Sequence, residues 1–307
     1  MTKKLAVLGL VVWLAVGSDL VVGEEDGVAF GPAKGALVIV GGGDREMRLH
    51  FGRFMELAGG EDAKVVIVPT AGSTSEKYDY DGKRRRFVGM GLVREDQVKT
   101  VHTHNRVVAD SEEFVRAIRE ADGVWFAGGR QWRLVDAYGG TLAEEAFHGV
   151  LERGGVIGGS SAGATIQGSF LVRGDTSGPK VLTGDHQRGF GFLRNSAIDQ
   201  HLFARGREFD LIKILLDEDG KMDASIVRED LLGIGVDEDT ALVVQGDLFE
   251  VTGKVDGAVV VYDPRKWTDT MPNEARMEVL GPGSRYDFGK REVIRRVYPA
   301  GWEKKDK

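Results

Sequence analysis

The sequence predicts an α/β fold built on a doubly wound, mostly parallel sheet. Its first half alternates short apolar runs with stretches of helical character, the pattern of strands and covering helices in such folds. The apolar runs are continuous rather than alternating, as expected for strands buried on both faces of a parallel sheet. Most of these runs end in glycine-rich turns, and such sheets bind ligands beyond the carboxyl ends of their strands.

Five strands are predicted in this first half, each from its own apolar run. They are Ala36–Val40, Lys64–Val68, Val98–Val101, Gly123–Phe126 and Gly155–Gly158. Helices are predicted between them over residues 45–58, 75–92, 131–137 and 141–153. A further helix is predicted after Asp110, which we expect to cap it together with Glu113 in a capping box.

Beyond about residue 170 the pattern becomes rich in β-structure. One more helix is predicted within residues 199–219, followed by short strands at 232–236, 241–244, 248–251 and 258–262. Gly246-Asp247 is typical of a hairpin turn. Neither a repeat nor a low-complexity linker is visible, so residues 24–307 are predicted to form a single domain. Its core is expected at residues 36–262, with a C-terminal extension at residues 263–307.

The N-terminus has the layout of a secretory signal peptide. A short basic start precedes an uncharged apolar run over residues 5–16, with small residues at a cleavage site near Gly17 and a second near Gly23. This run is shorter than the roughly 20 residues of a transmembrane helix. We expect residues 1–23 to be a signal peptide and the mature chain to be secreted or periplasmic, without stable membrane insertion after cleavage. The alternative, a buried first strand or helix, is disfavoured by the acidic residues that follow.

The composition excludes several functions. The chain of 307 residues has no cysteine, which excludes disulfides, thiol nucleophiles and cysteine-ligated metals. A net charge of −7 argues against a nucleic-acid partner, and the one basic run, residues 83–86, is interpreted as a solvated helix face. His102 and His104 alternate as a metal pair would, although surface placement is the favoured interpretation. Residues 217–220 lack the ligand spacing of a calcium loop. Neither a metal nor a cofactor is predicted.

A candidate nucleophile lies at the end of the fifth strand. Residues 159–163, Gly-Ser-Ser-Ala-Gly, form a G-x-S-x-G pattern between a strand and a helix-like stretch. The sharp turn would raise the Ser161 hydroxyl above the sheet, and the Ala162 amide would lie at a helix start, which favours an oxyanion. Ser160 is an alternative nucleophile, but the motif register favours Ser161. Taken alone, the pattern is equally typical of a small-residue turn without chemistry.

A serine nucleophile needs a base, and the chain has only six histidines. In α/β-hydrolases the histidine comes last among the three catalytic residues. Here no histidine follows His201, which argues against that class. His201 lies in an unusual mixture of polar and apolar residues and is the first candidate. His186, in a loop rich in glycine and aspartate, is the second.

Four segments together resemble the cyanophycinase branch of the S51 serine peptidase family. They are residues 126–134, 159–164, 199–207 and 233–241, and their order and spacing match as well. The resemblance spans about residues 36–262 and implies a flavodoxin-like fold of the class I glutamine amidotransferase-like type. It also implies a triad with Ser161 as nucleophile, His201 as base and Glu238 as the acid that orients the base. The acidic cluster around Glu238 is otherwise typical of a solvated turn.

The resemblance further implies which groups contact the substrate. By analogy, the amides of Gly128, Gly129 and Ala162 would build the oxyanion hole. The substrate-binding positions of the family fall on Gln131, Asp199, Gln200, Arg205 and Arg207. Two residues depart from the family pattern. Asp210 stands where relatives often carry an arginine, and Arg130 replaces a usual acidic residue, so the identity of the substrate stays open.

The expected function is that of a secreted serine-type hydrolase that cleaves β-aspartyl (isopeptide-type) linkages in a peptide or cyanophycin-like polymer, through an acyl-enzyme on Ser161. An alternative is a dipeptidase of the same family acting on short aspartyl peptides. An alternative of another class is a non-catalytic exported binding protein on the same scaffold. The sequence leaves open whether the chain forms a homodimer.

Overall fold

Two β-sheets organise the molecule, one of nine strands and one of five, in a computed structural model that describes residues 30–302. The predicted signal peptide lies outside the described residues. The strands are β1 (Ala36–Val40), β2 (Val65–Val68), β3 (Val98–Thr100), β4 (Gly123–Phe126), β5 (Val156–Ser160), β6 (Gly168–Phe170), β7 (Leu193–Gln200), β8 (Leu232–Val236), β9 (Thr240–Gln245), β10 (Leu248–Gly253), β11 (Val259–Tyr262), β12 (Glu278–Leu280), β13 (Arg285–Asp287) and β14 (Glu292–Arg295). The α-helices are α1 (Met47–Ala58), α2 (Gly82–Gly89), α3 (Arg106–Ala109), α4 (Glu112–Arg119), α5 (Trp132–Tyr138), α6 (Leu142–Glu152), α7 (Ala162–Thr165) and α8 (Asp210–Leu216).

The larger sheet has the order β14-β13-β10-β9-β1-β5-β4-β2-β3, and its last five strands run parallel to one another. Helices α1 and α2 pack on one face of these strands, whereas α4, α5 and α6 pack on the other. This arrangement confirms the predicted doubly wound α/β fold. The chain leaves the parallel pattern at β9, which pairs antiparallel with β1.

The smaller sheet has the order β12-β11-β8-β7-β6. It contains two of the four strands predicted in the β-rich C-terminal part, β8 and β11, whereas β9 and β10 lie in the larger sheet. Ile198, Ile234 and Val261 extend the core that it shares with the larger sheet. On its other face, Ala197 and Tyr262 pack with the buried side chains of α8. The predicted C-terminal extension completes both sheets, since β12 joins the smaller one and β13 and β14 join the larger one.

Strand β7 is the main element for which the sequence gives no signal. It contains Arg194, Asn195 and Asp199, and it becomes a strand because β6 and β8 pair with it in parallel on either side. The helix expected within residues 199–219 therefore begins only at Asp210. The hairpin expected at Gly246-Asp247 is confirmed, because β9 and β10 pair across it.

Helix α4 is capped by a different residue from the one expected. The hydroxyl of Ser111 accepts a hydrogen bond from the amide of Phe114 at 3.3 Å. Asp110 instead accepts from the amide of Leu142 at 2.9 Å, at the start of α6. The helix expected over residues 75–92 is shortened to α2, because residues 75–81 form turns.

The carboxyl ends of β1, β4 and β5 meet those of β7 and β8 at one edge of the molecule. The carbonyl of Gly41 after β1 accepts from the amide of His201 after β7 at 2.9 Å, and the carbonyl of Gly42 accepts from the amide of Asp239 after β8 at the same distance. The two sheets are thus joined at this edge. Within residues 30–302, the helices are too short or too polar to cross a membrane.

Candidate active site

Ser161 occupies a strained turn between β5 and α7. Its backbone has φ 59° and ψ −116°, a conformation that L-residues rarely adopt. The turn is close-packed, because a Cβ on Gly163 would lie 2.0 Å from the carbonyl oxygen of Phe126. Ser160 ends β5, whereas the Ser161 hydroxyl faces His201. This is the geometry of a nucleophile elbow.

His201 connects the serine to an acidic side chain. Its Nε2 lies 2.9 Å from Ser161 Oγ, and its Nδ1 lies 2.5 Å from Oε1 of Glu238. Because a carboxylate can only accept, Nδ1 carries the proton and Nε2 accepts from the serine hydroxyl. The ring is also confined on one side, since a Cβ on Gly42 would lie 2.2 Å from it. Of the predicted residues, the structure therefore brings Ser161, His201 and Glu238 into one hydrogen-bonded chain.

The acidic cluster around Glu238 is not a solvated turn. Asp237 is 6% exposed, and its Oδ1 accepts from the amides of Phe203 and Ala204 at 3.1 and 3.2 Å. Asp239 is equally buried, and its Oδ1 accepts from the amide of Arg45 at 2.9 Å. The two aspartates thus fix the backbone on either side of Glu238. Neither aspartate was predicted to be a site residue, although both lie in residues 233–241, one of the four segments that carry the family resemblance.

Burial lowers the pKa of His201, and the positive charges of Arg205 and Arg207 lower that pKa further. The hydrogen bond that Nδ1 donates to Glu238 acts in the opposite direction and raises the pKa. Burial is the largest contribution, so the imidazole is held below its ordinary pKa of 6.5. A histidine in this state is neutral near pH 7 and able to accept a proton.

Three backbone amides are available to donate hydrogen bonds to an oxyanion. Within residues 30–302, the N–H groups of Gly128, Gly129 and Ala162 donate no hydrogen bond to the protein. Gly128 lies against the nucleophile, because a Cβ there would be 3.2 Å from Cβ of Ser161. Gly129 has φ +149°, and a Cβ on it would lie 2.0 Å from the carbonyl oxygen of Ala71. The turn after β4 therefore requires glycine, which brings its backbone close to Ser161.

Two of the predicted substrate-binding residues are engaged within the protein. The amide nitrogen of Gln131 donates to the carbonyls of Val172 and Arg173 at 2.7 and 3.1 Å. Asp199 is fully buried, and both of its carboxylate oxygens accept from Arg173 at 3.0–3.2 Å. In this structure the two side chains hold the segment after β6 in place.

The other three predicted substrate-binding residues lie beside His201. Arg207 is largely buried and donates to the carbonyl of Gln200 at 3.0 Å. Gln200 is buried as well, and its Oε1 has no hydrogen-bond partner among the described residues. Arg205 is exposed. This side of the site therefore presents positive charge.

Arg173 is a site residue that the sequence analysis missed. It is 4% exposed, adopts φ 57°, and bonds to Asp199 and also to Asp210 at 2.6 Å. Asp210, one of the two departures from the family pattern, is thus neutralised by this arginine. The feature of the sequence that could have identified Arg173 is its position between the apolar pair Leu171-Val172 and Gly174. An arginine in such a setting must bury its charge against a carboxylate.

The remaining histidine candidates lie elsewhere. His186 bonds to Asp136 and Asp185 at 2.8 and 2.9 Å, away from Ser161. His102 and His104 have ring centroids 4.8 Å apart, and His102 stacks on Tyr80. Over residues 30–302, no group of three or more histidine and carboxylate side chains is placed to hold a metal ion.

The basic run on α2 differs from its interpretation as a solvated face. Arg84 bonds to Asp81 at 2.7 Å and Arg85 pairs with Asp79, as expected for surface residues. Lys83 and Arg86, however, line a cavity of about 200 Å³ that extends to Ser161.

The chain is similar to known proteins over most of its length. The profile of peptidase family S51 matches residues 37–252. A cyanophycinase of Thermosynechococcus vestitus is 31% identical over 265 residues, which cover 83% of this chain and 76% of that protein. A cyanophycinase of Nostoc sp. is 30% identical over 288 residues, which cover 86% of this chain and 89% of that protein.

Solved structures extend the comparison to the fold. A peptidase from an acI-B1 actinobacterium superposes with a TM-score of 0.61 at 25% identity, covering 84% of this chain and 99% of that one. A putative peptidase E from Listeria monocytogenes gives a TM-score of 0.50 at 15% identity, covering 72% of this chain and all of that one. At that identity the second match supports the fold alone.

Proposed function

Since the chain belongs to peptidase family S51 and is a serine-type peptidase, we propose that it acts on β-aspartyl (isopeptide-type) substrates of the cyanophycin kind. The single observation that supports this most is the hydrogen-bonded chain from Ser161 through His201 to Glu238. The cyanophycinase relatives indicate the substrate class.

In the proposed mechanism, Ser161 Oγ attacks the scissile carbonyl while Nε2 of His201 takes its proton. The amides of Gly128, Gly129 and Ala162 donate to the developing oxyanion. Glu238 stabilises the imidazolium, which then protonates the leaving nitrogen. An ester on Ser161 remains, and a water molecule activated by the neutral histidine hydrolyses it. The carboxylic acid product leaves and Ser161 regains its proton.

The test is product release from purified cyanophycin, compared between the parent protein and Ser161→Ala. Cyanophycin has an aspartate backbone with arginine on each β-carboxyl, so backbone cleavage yields β-Asp-Arg, whereas cleavage of the side-chain linkage yields free arginine. Release of β-Asp-Arg would show cleavage of the backbone beside the β-aspartyl linkage, and release of free arginine would show cleavage of the linkage itself. We expect either product to fall at least about 10³-fold in Ser161→Ala, because the acyl-enzyme cannot form. Activity that survives in Ser161→Ala would exclude this serine as nucleophile. A parent that releases neither product would exclude the polymer.

A second candidate function is hydrolysis of short aspartyl peptides. The position of Arg173 favours this second function. Arg173 donates to both oxygens of the buried Asp199 carboxylate, so Asp199 is less able to bind a guanidinium group of the substrate. A panel of aspartyl and isoaspartyl dipeptides separates the two candidates. Turnover of dipeptides without release from the polymer would favour the second.

We also propose that the enzyme acts outside the cytoplasm. The proposal rests on the basic start and the apolar run of residues 5–16. Fractionation of expressing cells, with N-terminal sequencing of the exported protein, tests it. A protein that stays in the cytoplasm with Met1 intact would contradict it.

A further inference from the structure

A cavity opens on one side of Ser161, between the turn after β1 and helix α2; we refer to it as the α2 cavity. Ser161, His201 and Gly128 are among the residues that line it. A substrate held against the Ser161 hydroxyl is therefore next to this cavity. The arginines next to His201, including Arg205 and Arg207, do not line it. The α2 cavity thus adjoins the nucleophile on a side that these two arginines do not line.

The lining of the α2 cavity combines an apolar part with a basic part. Met47, Phe87 and Trp125 supply the apolar part, and the last two are almost fully buried. Lys83 and Arg86, one turn apart on α2, supply the basic part. Such a lining suits a short aliphatic stem that ends in an anionic group.

The charges on α2 are not equivalent. Arg86 donates to Asp44 at 2.7 Å, so its charge is partly compensated. Among the described residues, no carboxylate lies within 4.0 Å of the ammonium group of Lys83. Asp44 also lines the cavity, but its side chain is 73% exposed. Among the described residues on this wall, Lys83 is therefore the cationic residue without an ion-pair partner.

We propose that the α2 cavity is a subsite for a carboxylate of the substrate, and that Lys83 is its specificity-determining residue. This inference rests on the second candidate function, hydrolysis of short aspartyl peptides, because the β-carboxyl groups of cyanophycin carry arginine and offer no free carboxylate. The chemical class is an aspartyl or glutamyl residue next to the scissile bond, with one or two methylene groups against Phe87 and Trp125. The carboxylate accepts a charge-assisted hydrogen bond from the Lys83 ammonium group.

Three dipeptides test the assignment: Asp-Asp, Asp-Asn and Asn-Asp. Asp-Asp carries every side-chain carboxylate, and each of the others replaces one of them with an amide of the same shape. We expect Lys83→Gln to lower kcat/KM for Asp-Asp roughly tenfold, the size of one charge-assisted hydrogen bond. For the dipeptide that lacks the recognised carboxylate, the variant and the parent should be equal.

Arg85→Gln is the matched control. Arg85 is on the same helix, is 56% exposed, and does not line the cavity. Removing its charge changes the net charge of α2 by the same amount, so a general electrostatic effect would appear in both variants. If Lys83→Gln behaves as Arg85→Gln does on all three dipeptides, the subsite assignment is wrong.

A binding measurement separates this inference from the proposed function. In Ser161→Ala protein, calorimetric titration should show that Asp-Asp binds more tightly than one of the amides, and that adding Lys83→Gln abolishes the difference. This readout requires no turnover. A parent without hydrolytic activity that keeps the Lys83-dependent preference would contradict the proposed function alone. Equal affinities for all three dipeptides would contradict the subsite.

Discussion

At the scale of single residues, the site contains backbone conformations that residues other than glycine rarely adopt. Ser161, His201 and Asp239 have φ of 59°, 54° and 56°, in the region that favours glycine. Each such residue costs on the order of 1–3 kcal/mol. Surrounding hydrogen bonds offset this cost. For example, the carbonyl of Val40 accepts a hydrogen bond from the amide of Ser161 at 3.0 Å.

The pKa of His201 gives a prediction at this scale. Burial lowers the pKa, and the charge of Arg205 lowers it further. The base must be neutral, so the acid limb of kcat/KM against pH follows the pKa of the free enzyme. We expect Arg205→Gln to raise that pKa and to move the acid limb to higher pH, as measured by initial rates from pH 4.5 to 8.

Salt provides the control for this prediction. Arg205 is exposed, so salt at 0.5 M should screen its charge and shift the parent in the same direction as the substitution. The variant should respond less to salt than the parent does. An acid limb that stays in place, or moves to lower pH, would show that Arg205 does not act on His201.

How much of the site can be predicted from the sequence differs from residue to residue. Ser161 lies in a motif with its own strand and turn, so local pattern was sufficient to propose it. His201 was preferred over His186 on its local setting, but its role as base came from the resemblance. Glu238 could be proposed only through the resemblance, because its approach to His201 depends on two strands that meet at one edge. Arg173 was missed, since its carboxylate partners are 26 and 37 positions away along the chain.

At the scale of elements, the segment after β6 and helix α8 are linked by one buried charge cluster. Arg173 bonds to Asp199 at the end of β7 and to Asp210 at the start of α8. The three side chains are 4%, 0% and 20% exposed. Without Arg173, the buried carboxylate of Asp199 keeps only a 3.5 Å contact with Arg207. The loss of a buried partner in this way is more costly than the loss of a surface ion pair.

We therefore expect Arg173→Met to lower the free energy of unfolding by about 3–5 kcal/mol, measured by urea denaturation. Adding Asp199→Asn should recover part of this loss, because the stranded charge is removed. Lys213→Met is the matched control: Lys213 bonds to the same Asp210 at 3.3 Å but is 52% exposed, and its loss should cost less than about 1 kcal/mol. An Arg173→Met protein as stable as the control would refute the role of the cluster.

The elements themselves differ in how far the sequence predicts them. Strands β1, β2, β4 and β5 are buried on both faces, and their continuous apolar runs are therefore visible in the sequence. Strand β7 carries polar residues, because its carboxyl end lies at the site and its other end is partly exposed. It forms a strand because neighbouring strands pair with it, and this pairing is not visible in its own sequence.

At the scale of the whole molecule, the site depends on how the two sheets meet. Ser161 follows a strand of the larger sheet, and His201 follows a strand of the smaller one. Glu238 is the middle residue of the three that connect β8 in the smaller sheet to β9 in the larger one. The distances between the three side chains are thus set by the shared core, and not by any single element.

The N-terminal boundary of this fold gives the last prediction. Phe30 is 2% exposed and stacks on Phe288, and the amides of Phe30 and Gly31 donate to Asp247 at 2.7 and 3.0 Å. Cleavage after Gly17 or after Gly23 would leave these contacts intact. A chain that begins at Glu24 keeps the described contacts and serves as the reference in urea denaturation. A chain that begins at Pro32 should lose about 3 kcal/mol or more, the usual cost of removing a buried phenylalanine.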